Sequence, residues 1–582
     1  MEILRGIPVS PGVAIGRAFV LRSEDFFSAA RTEITPDDVP REILRFEEAL
    51  TRTRSDLMKV RRKIAQELSH EHSEIFNAHL LILEDRTLIE DVLSQIKGEK
   101  VSAEFAFTTV IKRYFEAFQH VDDEYLRERL ADIKDVGKRI ILNLLGKKHQ
   151  SLEHLSEDVI LISNDLSPSE TASMDRTHVI AFGTDIGGPT SHTAIMARSL
   201  EIPAVVGLDR ISTMVVTGKH IIIDGNRGIA IVDPDQSTIE RYEQEEKRFA
   251  QFVIQLDAIK LLPAETLDGH RVELLANIEF PAEIPSILSH GAEGIGLYRT
   301  EYFYMNRVDL PTEDEQFVAY REVAERLNPR PVIIRTLDLG GDKYLSSLDL
   351  PREMNPFMGW RAIRFCLARP EIFKAQLRAA LRASVFGKLK LMYPMISNVT
   401  EVRDANRLLS EVKEELKAAR VAFDEKMQVG AMIEIPSAAL ITDVLADEVD
   451  FFSIGTNDLI QYSLAVDRVN AKIAYLYEPT HPAILKLIQL TVQNAKRKKV
   501  WVSVCGEMSS DPAMAILLVG FGIDQLSMGP FALPKVKKAI RSVTLKQAKD
   551  LAVRALQFTT GEEIKKFLEA KVKLLAPDLF QD

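Results

Sequence analysis

The sequence predicts a multidomain α/β protein: a small α/β domain with an inserted α-helical subdomain, a linker helix and a C-terminal (β/α)8 TIM barrel. Three observations carry this reading. Beyond Pro263 eight β-type runs alternate with helical pattern, namely VELLANIEF, GIGLYRTE, PVIIRTLDLGGD, LKLMYPMIS, VGAMIEIP, FFSIGTND, VWVSVCGE and QLSMGP; strands alternating with helices in that number close a barrel of this kind. From about Pro40 to Leu145 no strand-like run occurs, only amphipathic segments such as EIFNAHLLILED and AEFAFTTVIKRYFEAF with charged flanks. Short β-type runs stand on both sides of that stretch, so the helical part interrupts a smaller domain.

Taken in order, residues 1–24 alternate glycine or proline with apolar residues (IPVSPGVAIGRAFVL), which predicts a short strand and a turn. Residues 25–145 form the helical subdomain. Over 146–232 the runs DVILIS, THVIAFG, AVVGL and HIIIDG resume the strand pattern and complete an α/β domain with residues 1–24. Residues 233–262 carry the linker, in which Ser237 and Glu240 have capping-box spacing and Pro263 closes the segment. One helix of about 25 residues spans about 38 Å. Its charge pattern suits an exposed connector, and a structural strut and a hinge read alike in sequence. Residues 263–582 make the barrel.

At 582 residues, with 46% hydrophobic and 27% charged residues, the chain has the material for several full cores. The net charge of -11, without a run of lysine or arginine, argues against a nucleic-acid partner. The start MEILRGIPVSPGVAIG has one arginine and no apolar h-region, and nowhere do about 18 apolar residues follow one another, so neither a secretory signal nor a membrane span is expected and the protein reads as cytoplasmic. The two cysteines, Cys366 and Cys505, are too few for a disulfide framework or a cysteine-based metal site. Cys366, inside RAIRFCLA, is assigned to packing. Cys505, after VWVSV, reads by itself as a small buried apolar residue.

The stretch GGPTSHTAIMARS places His192 directly behind two glycines, a proline, a threonine and a serine, where Ala194, Ile195, Ala197 and Arg198 begin a helical recurrence. Adjacent glycines suit a sharp turn or a close approach of backbone to ligand. Free amides and the helix dipole at such a start favour an anion, which would suit a phosphate carried on the imidazole. A plain helix cap from Thr190 or Ser191, with His192 merely exposed, fits the same window.

In a (β/α)8 barrel the C-terminal strand ends form the active-site mouth. Those ends carry residues foreign to a buried strand: Asn277, Arg299, Arg335, Glu434, Asn457 with Asp458, and Cys505 with Glu507. Arg299 and Arg335, with Arg468 from AVDRVN as a third candidate, suit a phosphate or carboxylate gripped bidentately, and Lys343 in LGGDK adds positive charge. Glu434 and Asp458 supply two hard oxygen ligands, few enough that Mg2+ would keep waters and take the rest from the substrate. Singly, each charge reads equally as a salt bridge to a neighbour. Together they predict a site for a small polyanion.

These residues carry a resemblance. GGPTSHTAIMARSLEIPAVVG resembles the phosphohistidine signature of the phosphoenolpyruvate-using enzymes. DFFSIGTNDLIQYSLAVDR, with IGLYRTEYFYM, RTLDLGGDK and MNPFMGWRAIR, is similar to the Enzyme I family of the bacterial sugar phosphotransferase system, the phosphoenolpyruvate-protein phosphotransferases. The likeness covers nearly the whole chain; between 25 and 145 it rests mostly on DDEYLRERLADIKDVGKRI. One departure is Pro189, where many members carry arginine.

The resemblance implies that phosphoenolpyruvate sits in the barrel mouth with Mg2+ on Glu434 and Asp458, held by Arg299, Arg335, Arg468, Asn457, Asp458 and Lys343. His192 would be the nucleophile and phosphohistidine, Thr171 in SPSETASM its orienting partner, and Cys505 the acid that protonates the enolate of pyruvate. The helical subdomain would receive the histidine-containing phosphocarrier protein, and the barrel would carry a homodimer contact. Pyruvate phosphate dikinase and phosphoenolpyruvate synthase share the histidine domain and the barrel, but need a nucleotide-binding domain of roughly 200 residues for which the length leaves no room, and no GxxxxGK[ST] loop occurs. A nitrogen-branch paralogue would carry a sensory domain ahead of MEILRGIPVSPG, which the sequence lacks. A phosphoenolpyruvate sensor without turnover and a nitrogen-branch Enzyme I paralogue are the alternatives.

Overall fold

The computed structural model describes the chain apart from residues 22–29, 68–74, 119–123, 147–154, 156, 168–169, 171–173, 175–176, 189–192, 195–196, 198–201, 305–308, 340–352, 354, 469, 471 and 580–582. Of residues 62–67, 75–78, 117–118 and 124–131 it describes the backbone alone. Two compact units are present, Met1–Gln251 and Phe252–Asp582.

The first unit is built on eight strands: β1 (Glu2–Arg5), β2 (Ile7–Ser10), β3 (Val13–Leu21), β4 (Val159–Ser163), β5 (Val179–Thr184), β6 (Ala204–Val206), β7 (His220–Asp224) and β8 (Ile229–Val232). Their order in one sheet is β1-β8-β7-β3-β4-β5-β6-β2, with β3, β4, β5 and β6 parallel. Runs such as VILIS and VIAFGT are apolar almost throughout because both faces are covered. Leu161, Phe182, Ala204 and Val206 pack on one side; Ile160, Ile162, Ala181 and Val205 pack on the other. The single strand and turn expected at the N-terminus are instead three strands. The glycines are kinks between them: Gly12 sits at φ +127°, and a Cβ there would lie 2.7 Å from Pro203 Cγ. The kinks let 20 residues reach both edges of the sheet, β1 against β8 and β2 against β6, before β3 enters its middle.

Between β3 and β4 the described residues form five α-helices, α1 (Val39–Glu67), α2 (Ile75–Leu83), α3 (Arg86–Glu99), α4 (Ala103–Phe118) and α5 (Glu124–Leu144). Their amphipathic faces share a core of their own, including Phe46, Leu57, Val92, Phe107 and Ile140. After β8 comes α6 (Gln236–Ile259). Its start differs from the expected Ser237 cap: Asp235 Oδ1 accepts from the Thr238 amide at 2.8 Å and from the Ser237 hydroxyl at 2.8 Å. An ionised carboxylate is the stronger acceptor at a helix N-terminus, and Ser237 becomes its donor.

The second unit holds β9 (Glu273–Ile278), β10 (Ile295–Arg299), β11 (Pro331–Arg335), β12 (Lys388–Tyr393), β13 (Val429–Ile433), β14 (Phe451–Ile454), β15 (Trp501–Val504) and β16 (Gln525–Met528), one for each run predicted. All neighbours are parallel, and β16 pairs back onto β9 to close the barrel. Leu297, Ile333, Met392, Met432 and Phe451 form one apolar cluster, and at the N-terminal ends of β14 and β15 the Phe451 and Trp501 rings stack with centroids 4.3 Å apart. Lys390 Nζ lies 4.2 Å from the Trp501 centroid. No helix among the described residues is long and apolar enough to cross a membrane.

Candidate active site at the barrel mouth

Side chains two residues apart on a strand share a face. Leu297 and Arg299 therefore point the same way, as do Ile333 and Arg335, and Met432 and Glu434 continue the pattern. The apolar members fill the barrel, and the polar ones stand above them at the C-terminal end. Asn457 and Asp458 arrive differently, in the first turn of the helix Thr456–Leu464 that follows β14.

Arg299 donates to Glu279 Oε1 at 2.7 Å and keeps about a third of its side chain exposed (34%), free to meet a ligand. Arg335 is 6% exposed and lies between Glu301 Oε1 at 2.5 Å and Asp338 Oδ2 at 3.0 Å. Burial opposes its charge, but the Glu301 and Asp338 carboxylates outweigh that and hold the guanidinium above its ordinary range. Glu434, 2% exposed, accepts from the Met395 amide at 2.5 Å. Burial, then the nearby Asp458 and Asp338 charges, push its carboxyl above the usual range despite Arg335. Such a crowd of carboxylates is relieved by a cation.

Cys505 lies at the end of β15, 4% exposed, with Sγ 3.8 Å from the Ile454 carbonyl oxygen. Burial pushes its thiol up to about 11, with Ser453 and the two arginines pulling the other way and Glu434 pushing further, so it stays protonated at neutral pH. Asn277 donates to the Cys505 carbonyl at 3.1 Å and accepts from the Ser527 hydroxyl at 2.6 Å, which ties the first and last strands to the thiol's backbone. Asn457 Oδ1 accepts from the Glu507 amide at 2.9 Å, which turns its Nδ2 outward as a donor; that donor reaches Glu507 Oε1 at 3.2 Å, with Arg468 NH1 3.6 Å from the same oxygen. The structure thus brings Asn277, Arg299, Arg335, Glu434, Asn457, Asp458, Arg468 and Cys505 to one mouth. Cys366 is fully buried in the barrel's outer core, as its packing assignment expects.

The sequence agrees with this geometry. The family described as the PEP-binding domain of PEP-utilising enzymes matches residues 254–545. The N-terminal and mobile domains of PEP-utilising enzymes match residues 5–129 and 155–228. Relatives named phosphoenolpyruvate-protein phosphotransferase include those of Staphylococcus carnosus, 44% identical over 98% of this chain and 99% of the relative, and Bacillus subtilis, 45% identical over 98% and 100%. That of Haemophilus influenzae is 45% identical over 97% of this chain and 98% of its own length. The chain belongs to the phosphoenolpyruvate-protein phosphotransferase family.

For a phosphoenolpyruvate-protein phosphotransferase the mouth holds more than the sequence reading selected. Glu301, Asp338, Arg361 and Tyr462 were not singled out, although GLYRTE, RTLDLGGD, MNPFMGWRAIR and NDLIQY contain them. The signal was present for Arg361, an arginine inside a motif already quoted; nothing marks Glu301 or Asp338 as buried partners of Arg335 until the fold brings them there. Of the remaining family positions, Lys343, His192 and Thr171 lie outside the described residues. Near His192, Gly187 sits at φ +142°, where a Cβ would come 2.9 Å from Val206 Cβ, and the Thr193 hydroxyl donates to the Leu166 carbonyl at 3.1 Å. Among the described residues no group of three or more His, Cys, Asp or Glu side chains is arranged to hold a metal.

Two glycines let this mouth close up. A Cβ on Gly455 would lie 2.8 Å from Glu434 Oε2, and one on Gly506 would overlap the Thr456 hydroxyl and come 2.8 Å from the Thr456 amide nitrogen. Gly506→Ala is expected to push the helix bearing Asp458 away from β15, lowering pyruvate formation by about a hundredfold and stability by about 1–3 kcal/mol. Steady-state kinetics and thermal melting check both.

Proposed function

We propose that this chain transfers the phosphoryl group of phosphoenolpyruvate to its own His192 and then to a histidine-containing phosphocarrier protein, releasing pyruvate at the first step of sugar uptake by a phosphotransferase system. What supports the reading most is the mouth itself: two arginines, a pair of carboxylates and a protonated thiol converge at the C-terminal end of a barrel in a chain of this family.

Arg299 and Arg335, with Asn457, Arg468 and Lys343, bind the phosphate and carboxylate of the substrate and stabilise charge on the group in transit. Glu434 and Asp458 would hold Mg2+, which when bound supplies neutralising charge at the phosphate oxygens. The imidazole nitrogen of His192, oriented by Thr171, attacks phosphorus; the P–N bond forms as the P–O bond to the enolate breaks. Cys505 then gives its Sγ proton to the methylene carbon of the enolate, which becomes pyruvate, and the thiolate regains a proton from water. Donor and carrier each need the space around the same nitrogen, so the two transfers are sequential. The helical subdomain of residues 25–145 receives the carrier, the barrel domain of residues 263–582 carries a homodimer contact, and the protein works in the cytoplasm.

Incubation with phosphate-labelled phosphoenolpyruvate and Mg2+ tests the reading: an acid-labile label with stoichiometric pyruvate is expected, whereas a sensor would bind and stay unlabelled. Cys505→Ala separates the steps. It should slow pyruvate release by about 10²–10⁴-fold while exchange of phosphate between phosphorylated protein and carrier continues at its ordinary rate. Equal loss of both activities would reduce Cys505 to packing.

A further inference from the structure

Around Arg335 the structure holds more polar machinery than the proposed transfer uses. Asp338, 2% exposed, pairs with Arg335 NH1 through one oxygen at 3.0 Å and accepts from Arg361 NH2 with the other at 2.9 Å. Arg361 is itself 3% exposed, and its NH1 reaches the Tyr462 hydroxyl at 3.4 Å. That hydroxyl donates to the Phe357 carbonyl at 2.5 Å. Phe357 lies in the short turn Pro356–Met358 that leads into Arg361. Tyr462 stands one helical turn beyond Asp458, on the same face of the helix Thr456–Leu464.

A continuous chain of two hydrogen bonds and an ion pair therefore runs from the helix that carries Asp458, through Tyr462, Arg361 and Asp338, to Arg335. It links the connection after β11 to the helix after β14, elements that belong to strands separated by β12 and β13 and so are not registered by direct pairing. Among the described residues neither guanidinium has a partner at its buried Nε, and the contacts given for both run through their terminal nitrogens. Burial opposes the charge on Arg361, and the Asp338, Asp458 and Tyr462 groups around it outweigh that.

We infer that Tyr462, Arg361 and Asp338 are positioning residues that set the Arg335 guanidinium relative to Asp458, acting through Arg335 and not on the reacting atoms. The inference rests on the phosphoenolpyruvate reading of the mouth. Its physical basis is that phosphoryl transfer is sensitive to placement, with about 1 Å of error costing about a hundredfold in rate.

The test uses the full chain with Mg2+, phosphoenolpyruvate and the carrier, and reads KM, kcat for pyruvate formation and the melting temperature. Tyr462→Phe removes one oxygen and should lower kcat about tenfold with KM changed less than about threefold. Asp338→Asn should lower kcat about a hundredfold, and Arg361→Lys, which keeps charge but not the fork, should fall between the two. If Tyr462 acts through Arg335, the double variant Tyr462→Phe/Arg335→Lys is no slower than Arg335→Lys alone. Kinetics of Tyr462→Phe equal to those of the unsubstituted protein, or a double variant slower by the product of the single effects, overturns the inference. Should Asp338→Asn fail to fold, Tyr462→Phe still decides. An unsubstituted protein that forms no pyruvate would instead remove the reading beneath, and this inference with it.

Discussion

His192→Ala is expected to bind phosphoenolpyruvate in the presence of Mg2+ and to take up no phosphoryl group, so that carrier phosphorylation falls to background. The expectation follows from a division of labour. Every group proposed to recognise the substrate belongs to the unit Phe252–Asp582, while the acceptor nitrogen belongs to Met1–Gln251. Loss of the nitrogen should therefore leave affinity close to its starting value and remove the reaction outright, since no neighbouring side chain replaces a nucleophile. Equilibrium binding of phosphoenolpyruvate, run beside acid-labile labelling, makes the check. Persistent acid-labile label on the variant would place the phosphoryl group on another residue. Lost binding would show that the histidine helps to build the donor site.

The second large effect is expected at the carboxylate pair. Glu434→Gln and Asp458→Asn should each lower Mg2+-dependent phosphorylation by at least about a thousandfold. Glu434→Gln carries a further expectation of opposite sign for stability. The folded protein holds the Glu434 carboxyl above the value of 4.5 that it has when exposed, chiefly through burial. The folded state thus binds this proton more tightly than the unfolded one, and stability contributed by the protonated acid is lost as pH rises from 4.5 through the folded value. A glutamine keeps an acceptor for the Met395 amide and never ionises. In chelator, at pH above that window, the variant should melt at a temperature equal to or above that of the unsubstituted protein while being inactive. Melting well below it would mean that Glu434 is chiefly a structural partner of Arg335. Unchanged Mg2+ dependence in either variant would remove that residue from the metal.

Much of this architecture is legible in the sequence because the signals are local. Each barrel strand is a short apolar run followed by a polar residue, and the two-residue alternation from Ile333 to Arg335 needs only the strand's own period. The mouth residues Arg299, Arg335, Glu434 and Cys505 could be chosen on that basis, whereas Asn457 stands in the first turn of the helix after β14. What the sequence concealed is pairing at a distance. Glu301 is a glutamate in a turn until the fold sets it 2.5 Å from Arg335, and Asp338 acquires meaning only between two arginines. The N-terminal strands were compressed into one because Gly6 and Gly12 read as turns; whether a glycine ends a strand or kinks it depends on which edge of the sheet receives the next segment. The start of α6 was displaced for a related reason, since Asp235 and Ser237 both have capping chemistry and the stronger acceptor took the amide.

The closure of the barrel through β9 and β16 bears on how the protein is made. The side chains of Glu273 and Gln525 that meet across that seam are 252 positions apart, and a ribosome adding about 5–20 residues per second needs roughly 10–50 s to produce the second after the first. Throughout that interval β9 presents an unpaired edge that another nascent chain can capture. The α/β sheet of the first unit, by contrast, has its last strand at Ile229–Val232 and is complete before any barrel strand emerges. A polysome therefore displays the finished sheet of the first unit while the barrel still lacks the strand that closes it.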